Sequence, residues 1–401
     1  MELNLWLLLL LVLAIAIGWS LGRRSRAAKL LPSKHGSVPS SYYKGLNYLL
    51  NDYPDRTLDS FIEALEVNSE TLETHIAVGN LMRRKGEVER AIRIHQNLLS
   101  RPSLPREDLH QAHLELARDF ISAGLLDRAE RLLEELLREA PELRPVTMRH
   151  LLEIYQDERE WQQAIDTANL IQPKKSLLKP NVSGDPVIAV ALSHYSCEQA
   201  CDSLKRNDHL LARKQLKQAL SDDKNCVRAS LMLGELELNT GHFQQAIKAL
   251  KKIRYQDFGF IPESIELLKQ CYQQLDDRSG FHQYLLECLE QQPSISVVLS
   301  LADDIQQREG DIAAARFVSE ELKKQPSLRG LEKLVELHLS TSTGESKEHL
   351  STLQLLISQL MISKPQYRCQ HCGFSGRQLH WLCPGCKQWG QLKSIRGAEG
   401  D

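Results

Sequence analysis

The sequence predicts an all-α chain of repeated helix pairs, preceded by an apolar anchor and closed by a small metal-binding domain. Three observations carry that prediction. Residues 3 to 21 form one apolar run, followed by a cluster of basic residues. Small and bulky residues recur through the middle of the chain at a spacing of about 34 residues. Near the C-terminus stand two Cys-x-x-Cys pairs, Cys369 with Cys372 and Cys383 with Cys386, separated by ten residues. Composition agrees with helices. Leu, Ala, Glu, Lys and Arg are plentiful, and aromatics are only 6% of the 401 residues. The 50 Lys and Arg nearly balance the 52 Asp and Glu, so the bulk charge calls for no nucleic acid partner.

The anchor comes first. From Leu5 to Trp19 the chain reads LWLLLLLVLAIAIGW without a charge. The apolar run from Leu3 to Leu21 is long enough for one membrane helix. Arg23, Arg24, Arg26, Lys29 and Lys34 follow it, and only Glu2 precedes it. The positive-inside rule therefore expects the body in the cytoplasm and a single-pass topology. A cleaved signal peptide would carry its charges before the apolar run and a small-x-small site after it. Here the order is reversed, so a retained anchor over residues 1–21 and a basic juxtamembrane segment over 22–37 are expected.

The body resembles the tetratricopeptide repeat, a pair of antiparallel helices with small residues where the helices approach and bulky ones between repeats. Residues 38–172 form the first block. Its first unit offers Gly45, Tyr48, Phe61 and Ala64; the second Gly79, Ala91 and Pro102; the third Ala117, Phe120, Ala129, Leu133 and Pro141; the fourth Tyr155, Ala164, Ala168 and Pro173. Residues 188–326 form the second block. There the units carry Ala200, Ala212, Leu216 and Ala219; Gly234, Gly241, Ala246 and Leu250; a degenerate stretch from Tyr272 to Pro293; and Ala302, Ala314, Val318 and Pro326. Residues 327–365 read as terminal helices. The small residues that open the second helices fall at 91, 129, 164, 212, 246 and 314, so only the step from 164 to 212 is out of register. That step holds Pro173, Pro180, Gly184 and Pro186, and residues 173–187 are expected to be an inserted linker. Stacked repeats of this kind wind into a superhelix whose first helices usually bind a protein or peptide.

The tail, residues 366–401, carries the chemistry. Each Cys-x-x-Cys turn points two thiolates at one ion, so Cys369, Cys372, Cys383 and Cys386 are the expected metal ligands. So short a segment buries too little apolar surface to fold alone, which makes metal binding its folding energy. The five other cysteines, Cys197, Cys201, Cys226, Cys271 and Cys288, are an odd number scattered through helical stretches, the pattern of a reduced compartment. Cys197 and Cys201 share a helix face and read as buried small hydrophobes before half a metal site. His371 lies within the first turn and is expected to point away from the sulfurs. The sequence has no Gly-x-Gly-x-x-Gly, P-loop, His-Glu-x-x-His or Gly-x-Ser-x-Gly motif, so neither a catalytic residue nor a small-molecule substrate is expected.

The strings Tyr367-Arg368-Cys369 to Phe374 and Trp381-Leu382-Cys383-Pro384-Gly385-Cys386 resemble the two knuckles of rubredoxin. The resemblance implies an iron tetrathiolate, and a four-sulfur site also accepts zinc. The loop between the pairs is shorter than in rubredoxin, and Lys387 stands where a second knuckle glycine is usual. In its order of anchor, basic collar, repeats and rubredoxin-type tail, the chain resembles the lipopolysaccharide assembly protein B family. That resemblance implies a non-enzymatic adaptor in the inner membrane of a Gram-negative cell. Its implied partners are the membrane protease FtsH, the deacetylase LpxC and other lipopolysaccharide assembly proteins, and its implied role is promoting degradation of LpxC by FtsH. The alternative is a membrane-tethered, rubredoxin-like electron-transfer protein. A zinc-ribbon nucleic-acid binder is disfavoured, because Lys387, Lys393 and Arg396 around Trp389 make a sparse phosphate footprint.

Overall fold

The computed structural model describes Trp19 and residues 72–100, 104–172, 185–362 and 364–397. Apart from Trp19, the expected anchor lies outside the described residues, as do the basic segment and the first repeat with Gly45, Tyr48, Phe61 and Ala64. Among the described residues no helix is long and apolar enough to cross a membrane. The chain divides into two compact units, residues 1–123 and residues 124–401.

The first unit contains helices α1 (Leu72–Arg84), α2 (Val88–Leu99) and α3 (Arg106–Ser122). Gly79 is required by close approach. A Cβ there would lie 2.5 Å from the His95 ring on α2. Beside it sits a buried polar network. His95 Nδ1 lies 2.5 Å from Asp119 Oδ2, and the Arg83 guanidinium bonds both Asp119 and Glu115 at 2.7 Å. Asp119 is fully buried, so its charge is tolerable only because both partners reach it.

The second unit holds α4 (Leu126–Glu139), α5 (Arg144–Glu158), α6 (Trp161–Ile171), α7 (Pro186–Lys205), α8 (His209–Asp222), α9 (Val227–Asn239), α10 (Phe243–Leu250) and the short α11 (Ile253–Gln256). A 3₁₀ turn at Phe258–Phe260 follows, then α12 (Ile261–Gln274), α13 (Arg278–Gln291), α14 (Ile295–Glu309), α15 (Asp311–Lys324), α16 (Leu328–Thr341) and α17 (Glu345–Ile362). From α7 on, the first helices α7, α9, α12, α14 and α16 pack each against the next, and each second helix packs against its own first helix. Ala200, Ala212, Leu216, Ala219, Ala246, Leu250, Ala302, Ala314 and Val318 are all fully buried, as the repeat pattern requires. Gly234 again marks close approach, since a Cβ there would lie 2.5 Å from the Leu250 side chain.

The backbone supplies a register that the side-chain pattern blurs. Turns between successive helices contain a residue of positive φ at Gly86, Gly124, Arg159, Asn207, Gly241, Asp276, Gly310 and Gly344, with spacings of 38, 35, 48, 34, 35, 34 and 34 residues. The stretch from Tyr272 to Pro293 is therefore a regular pair, α12 with α13. It reads as degenerate because Phe281 stands five residues past the turn, where Ala91, Ala129, Ala164, Ala212 and Ala246 stand in other pairs. Phe281 is buried against Tyr272 at a ring separation of 5.8 Å, so a larger side chain fills the same gap.

The insertion also differs from expectation at its end. Pro186 starts α7 instead of breaking a helix. Its ring occupies the first turn, where no N–H is needed, and the Asp185 carboxylate accepts from the Val187 N–H at 3.0 Å. Gln172 Nε2 donates to the Asp185 carbonyl at 2.8 Å, so the two ends of the insertion meet. The tail forms a three-stranded antiparallel sheet in the order β2-β1-β3, from Ser375–Gly376, Tyr367–Cys369 and Leu392–Ser394.

Candidate metal centre

The two knuckles are built alike. In the first, Gly373 N–H donates to the Cys369 carbonyl at 3.1 Å and Cys369 N–H to the Phe374 carbonyl at 2.7 Å. In the second, Lys387 N–H donates to the Cys383 carbonyl at 2.9 Å and Cys383 N–H to the Gln388 carbonyl at 3.0 Å. Each turn needs a left-handed residue straight after its second cysteine. Gly373 supplies it with φ 79° and Lys387 with φ 54°. The lysine thus takes a glycine's conformation, which explains how the site closes despite the departure from the glycine pattern.

The first cysteine of each knuckle, Cys369 and Cys383, is buried, while Cys372 is exposed and Cys386 half-buried. The four sulfurs all lie within 4.8 Å of one another, with Cys369 and Cys386 at 3.8 Å and Cys372 and Cys383 at 3.6 Å. A metal–sulfur bond of about 2.3 Å in tetrahedral geometry sets a sulfur–sulfur edge of about 3.8 Å, so the donor set fits one tetrahedral ion. Among the described residues this is the one cluster of three or more His, Cys, Asp or Glu side chains placed to hold a metal. The thiols are unequal. Burial opposes ionisation of Cys369, but backbone N–H groups of Cys372 and His371 and the neighbouring sulfurs bring it down to about 7. Burial and the other three sulfurs push Cys386 up to about 12, against the pull of the Gln388 N–H. Iron and zinc both suit four thiolates, and this geometry accepts either.

His371 is exposed and serves the site through its backbone, not its ring. Cys197 and Cys201 do not converge on a metal. Cys197 is fully buried and hydrogen-bonds Cys226, while Arg228 Nη2 donates to the Cys201 sulfur at 3.6 Å.

What the sequence reading missed is where the tail sits. It is docked across the first helices of the second unit. Trp389 Nε1 donates to Gln156 Oε1 on α5 at 2.8 Å, and the same oxygen accepts from Tyr195 on α7 at 3.1 Å. The Trp389 ring stacks on His194 at 4.8 Å and meets Arg228 of α9 at 6.0 Å. Trp381 stacks on Phe260 at 5.5 Å. Tyr367 donates to Glu263 of α12 at 2.6 Å. Lys387 pairs with Asp157 at 2.5 Å and Lys393 with Asp257 at 2.6 Å. The aromatics ahead of each knuckle therefore face the helices, and two of the three cations flanking Trp389 are engaged by carboxylates of the same chain. One signal pointed here. Two Trp residues in a tail too small to bury them need a core from elsewhere.

Comparisons with known proteins agree with this geometry. Residues 367–394 match the family described as rubredoxin metal binding domain, and residues 203–263 match the tetratricopeptide repeat family. The chain is similar to lipopolysaccharide assembly protein B of Escherichia coli (strain K12), with 37% identity over 98% of this chain and 99% of the relative. It is similar to the protein of the same name from Haemophilus influenzae, with 33% identity over 98% of each chain. Among solved structures, a tetratricopeptide repeat protein from Parabacteroides merdae covers 72% of this chain and 100% of its own at 13% identity and a TM-score of 0.32. The two curated relatives match along almost the full length of this chain, repeats and metal knuckle together, and the chain therefore belongs to the lipopolysaccharide assembly protein B family.

Proposed function

We propose that this protein is a non-enzymatic adaptor of the inner membrane that regulates lipopolysaccharide synthesis by promoting degradation of the deacetylase LpxC by the membrane protease FtsH. The observation that carries this reading is the full-length likeness to relatives named lipopolysaccharide assembly protein B. The docked knuckle supports it, because a metal domain bonded to two helices and a turn of a repeat array serves as part of a scaffold. The repeat surface collects the client, and the metal holds the knuckle folded upon it. Residues 3 to 21 supply the single-pass anchor, with the body on the cytoplasmic side and the basic collar facing the headgroups. Tethering matters physically, since it raises the effective concentration of the adaptor beside a membrane protease.

The test is a depleted strain expressing either the full chain or a form lacking residues 1–21, at native level. The full chain is expected to restore rapid turnover of LpxC. The truncated form is expected to be folded and metal-loaded yet to leave LpxC long-lived. Rapid turnover with the truncated form would sink the tethering argument, and no restoration by the full chain would sink the adaptor reading.

A further inference from the structure

The outer faces of α8, α10 and α11 carry charge and apolar surface that no interaction described above uses. On α8, Leu210, Lys214 and Lys217 follow at spacings of four and three residues, so they share one face, opposite the buried Ala212 and Ala219. The repeat sets α10 in the same register. Lys214 stands two residues after Ala212 and Lys248 two residues after Ala246, so the two lysines leave equivalent sides of successive second helices. Lys224 follows α8, and Lys252 follows α10. All five lysines are exposed, and among the described residues none forms an ion pair. Gln256 Nε2 on α11 donates to the Lys224 carbonyl at 2.7 Å, which holds the loop after α8 against α11. The two carboxylates of that loop are engaged locally, Asp222 by Gln218 at 3.0 Å and Asp223 by the Asn225 N–H at 2.9 Å. Leu210 is 79% exposed, more than any other large apolar side chain among the described residues, and Tyr255 on α11 is 74% exposed. Arg254 lies over the Tyr255 ring at 4.8 Å and leaves most of it open.

We propose that this surface lies on an anionic lipid bilayer, its lysines against the headgroup phosphates and Leu210 at the acyl boundary. A bilayer supplies both chemistries that the surface presents, and Tyr255 suits the headgroup level between them. A polyanion with no apolar layer leaves Leu210 in water. The five open cations are all lysines, whose point charges suit a fluid layer of headgroups, whereas a fixed planar anion site favours arginine. The bilayer is within reach, because residues 3 to 21 read as a membrane anchor. The contact rests on that anchored reading and adds an orientation to it. The second helices α8 and α10 face the lipid, and the first helices, which carry the tail, stand on the far side.

The test uses the full chain in lipid nanodiscs, with Leu210→benzoylphenylalanine as a photo-crosslinker. In discs rich in phosphatidylglycerol, irradiation is expected to give lipid adducts on the peptide holding residue 210, at least fivefold more than in phosphatidylcholine discs. Lys214→Gln combined with Lys248→Gln is expected to cut the yield in anionic discs at least threefold, and raised salt to do the same to the parent. Circular dichroism checks that the variant is folded; should it fail that check, the salt dependence carries the test. Co-purification with phosphatidylcholine discs reads the anchor separately. Its loss beside intact lipid adducts in anionic discs would refute the anchor and leave the surface standing. Adducts confined to protein peptides, or a lipid yield indifferent to headgroup charge and salt, would overturn the surface whether or not the anchor inserts.

Discussion

Lys387 shows how much one residue can be asked to do. Its backbone must be left-handed to complete the second knuckle, a conformation that costs a non-glycine residue about 1 kcal/mol. Its side chain returns part of that through the ion pair with Asp157, which is partly exposed and so contributes at most about 1 kcal/mol. The two effects separate by substitution. Lys387→Ala loses the pair and keeps the strain, whereas Lys387→Gly loses the pair and relieves it. The glycine variant is expected to be more stable than the alanine variant by about 1 kcal/mol in denaturant melts followed by tryptophan fluorescence, with equal metal content. Equal stability of the two would mean that the left-handed turn carries no strain. Cys383 bears on the whole knuckle, because it is fully buried and its sulfur lies 3.6 Å from Cys372. Cys383→Ser is expected to abolish stoichiometric metal by elemental analysis and to undock Trp389, while the far-ultraviolet dichroism of the helices stays near that of the parent. Full metal content in this variant would refute the four-sulfur site.

At the scale of the element, each helix pair depends on a small residue where the two helices approach. Gly234 lets α9 lie against Leu250 of α10, and any branched side chain there meets the leucine at its Cγ. Gly234→Val is expected to destabilise the second unit by about 1–3 kcal/mol, read from the urea midpoint at 222 nm. An unchanged midpoint would show that α10 is free to shift. The turns behave by the same logic but with looser residue choice. Arg159, Asn207 and Asp276 take the left-handed position that Gly86, Gly124, Gly241 and Gly310 take elsewhere. Asn and Asp tolerate that region, and in Arg159 the backbone cost is accepted for the register. That is why the pair joined at Asp276 has no glycine in its turn.

At the scale of the second unit, the knuckle works as a staple across the insertion. Gln156 precedes the insertion, Tyr195 follows it, and Trp389 of the tail binds the same amide oxygen as Tyr195. His194 lies beneath Trp389, and burial, assisted by the Arg228 charge, lowers its pKa to about 3. The docked form therefore refuses a proton that an undocked His194 accepts below its ordinary value of about 6.5. Docking stability is fully present above pH 6.5 and falls as the pH drops from there towards 3, by up to about 1.4 kcal/mol per pH unit. His194→Phe is expected to flatten the dependence of knuckle melting on pH over this range. An equally steep profile in that variant would assign the effect to another group.

Sequence alone determined the features whose physics is local. Two Cys-x-x-Cys turns specify a tetrathiolate wherever they fold, and all four cysteines converge as their spacing requires. The small-residue period specifies helix pairs because close approach of two helices leaves no room for anything else, as Ala212, Ala246 and Gly234 show. Tertiary structure alone decided the long-range contacts. Nothing in the spacing of Gln156, His194, Arg228, Asp257 and Glu263 marks them as partners of a tail some 100 to 230 residues away. Each is an ordinary helix or turn residue until stacking brings the five onto one surface. The tail's aromatics announced only that they needed a core. Which core they found depended on the shape made by α5, α7, α9 and α12 together, a property of packed helices that no single segment encodes.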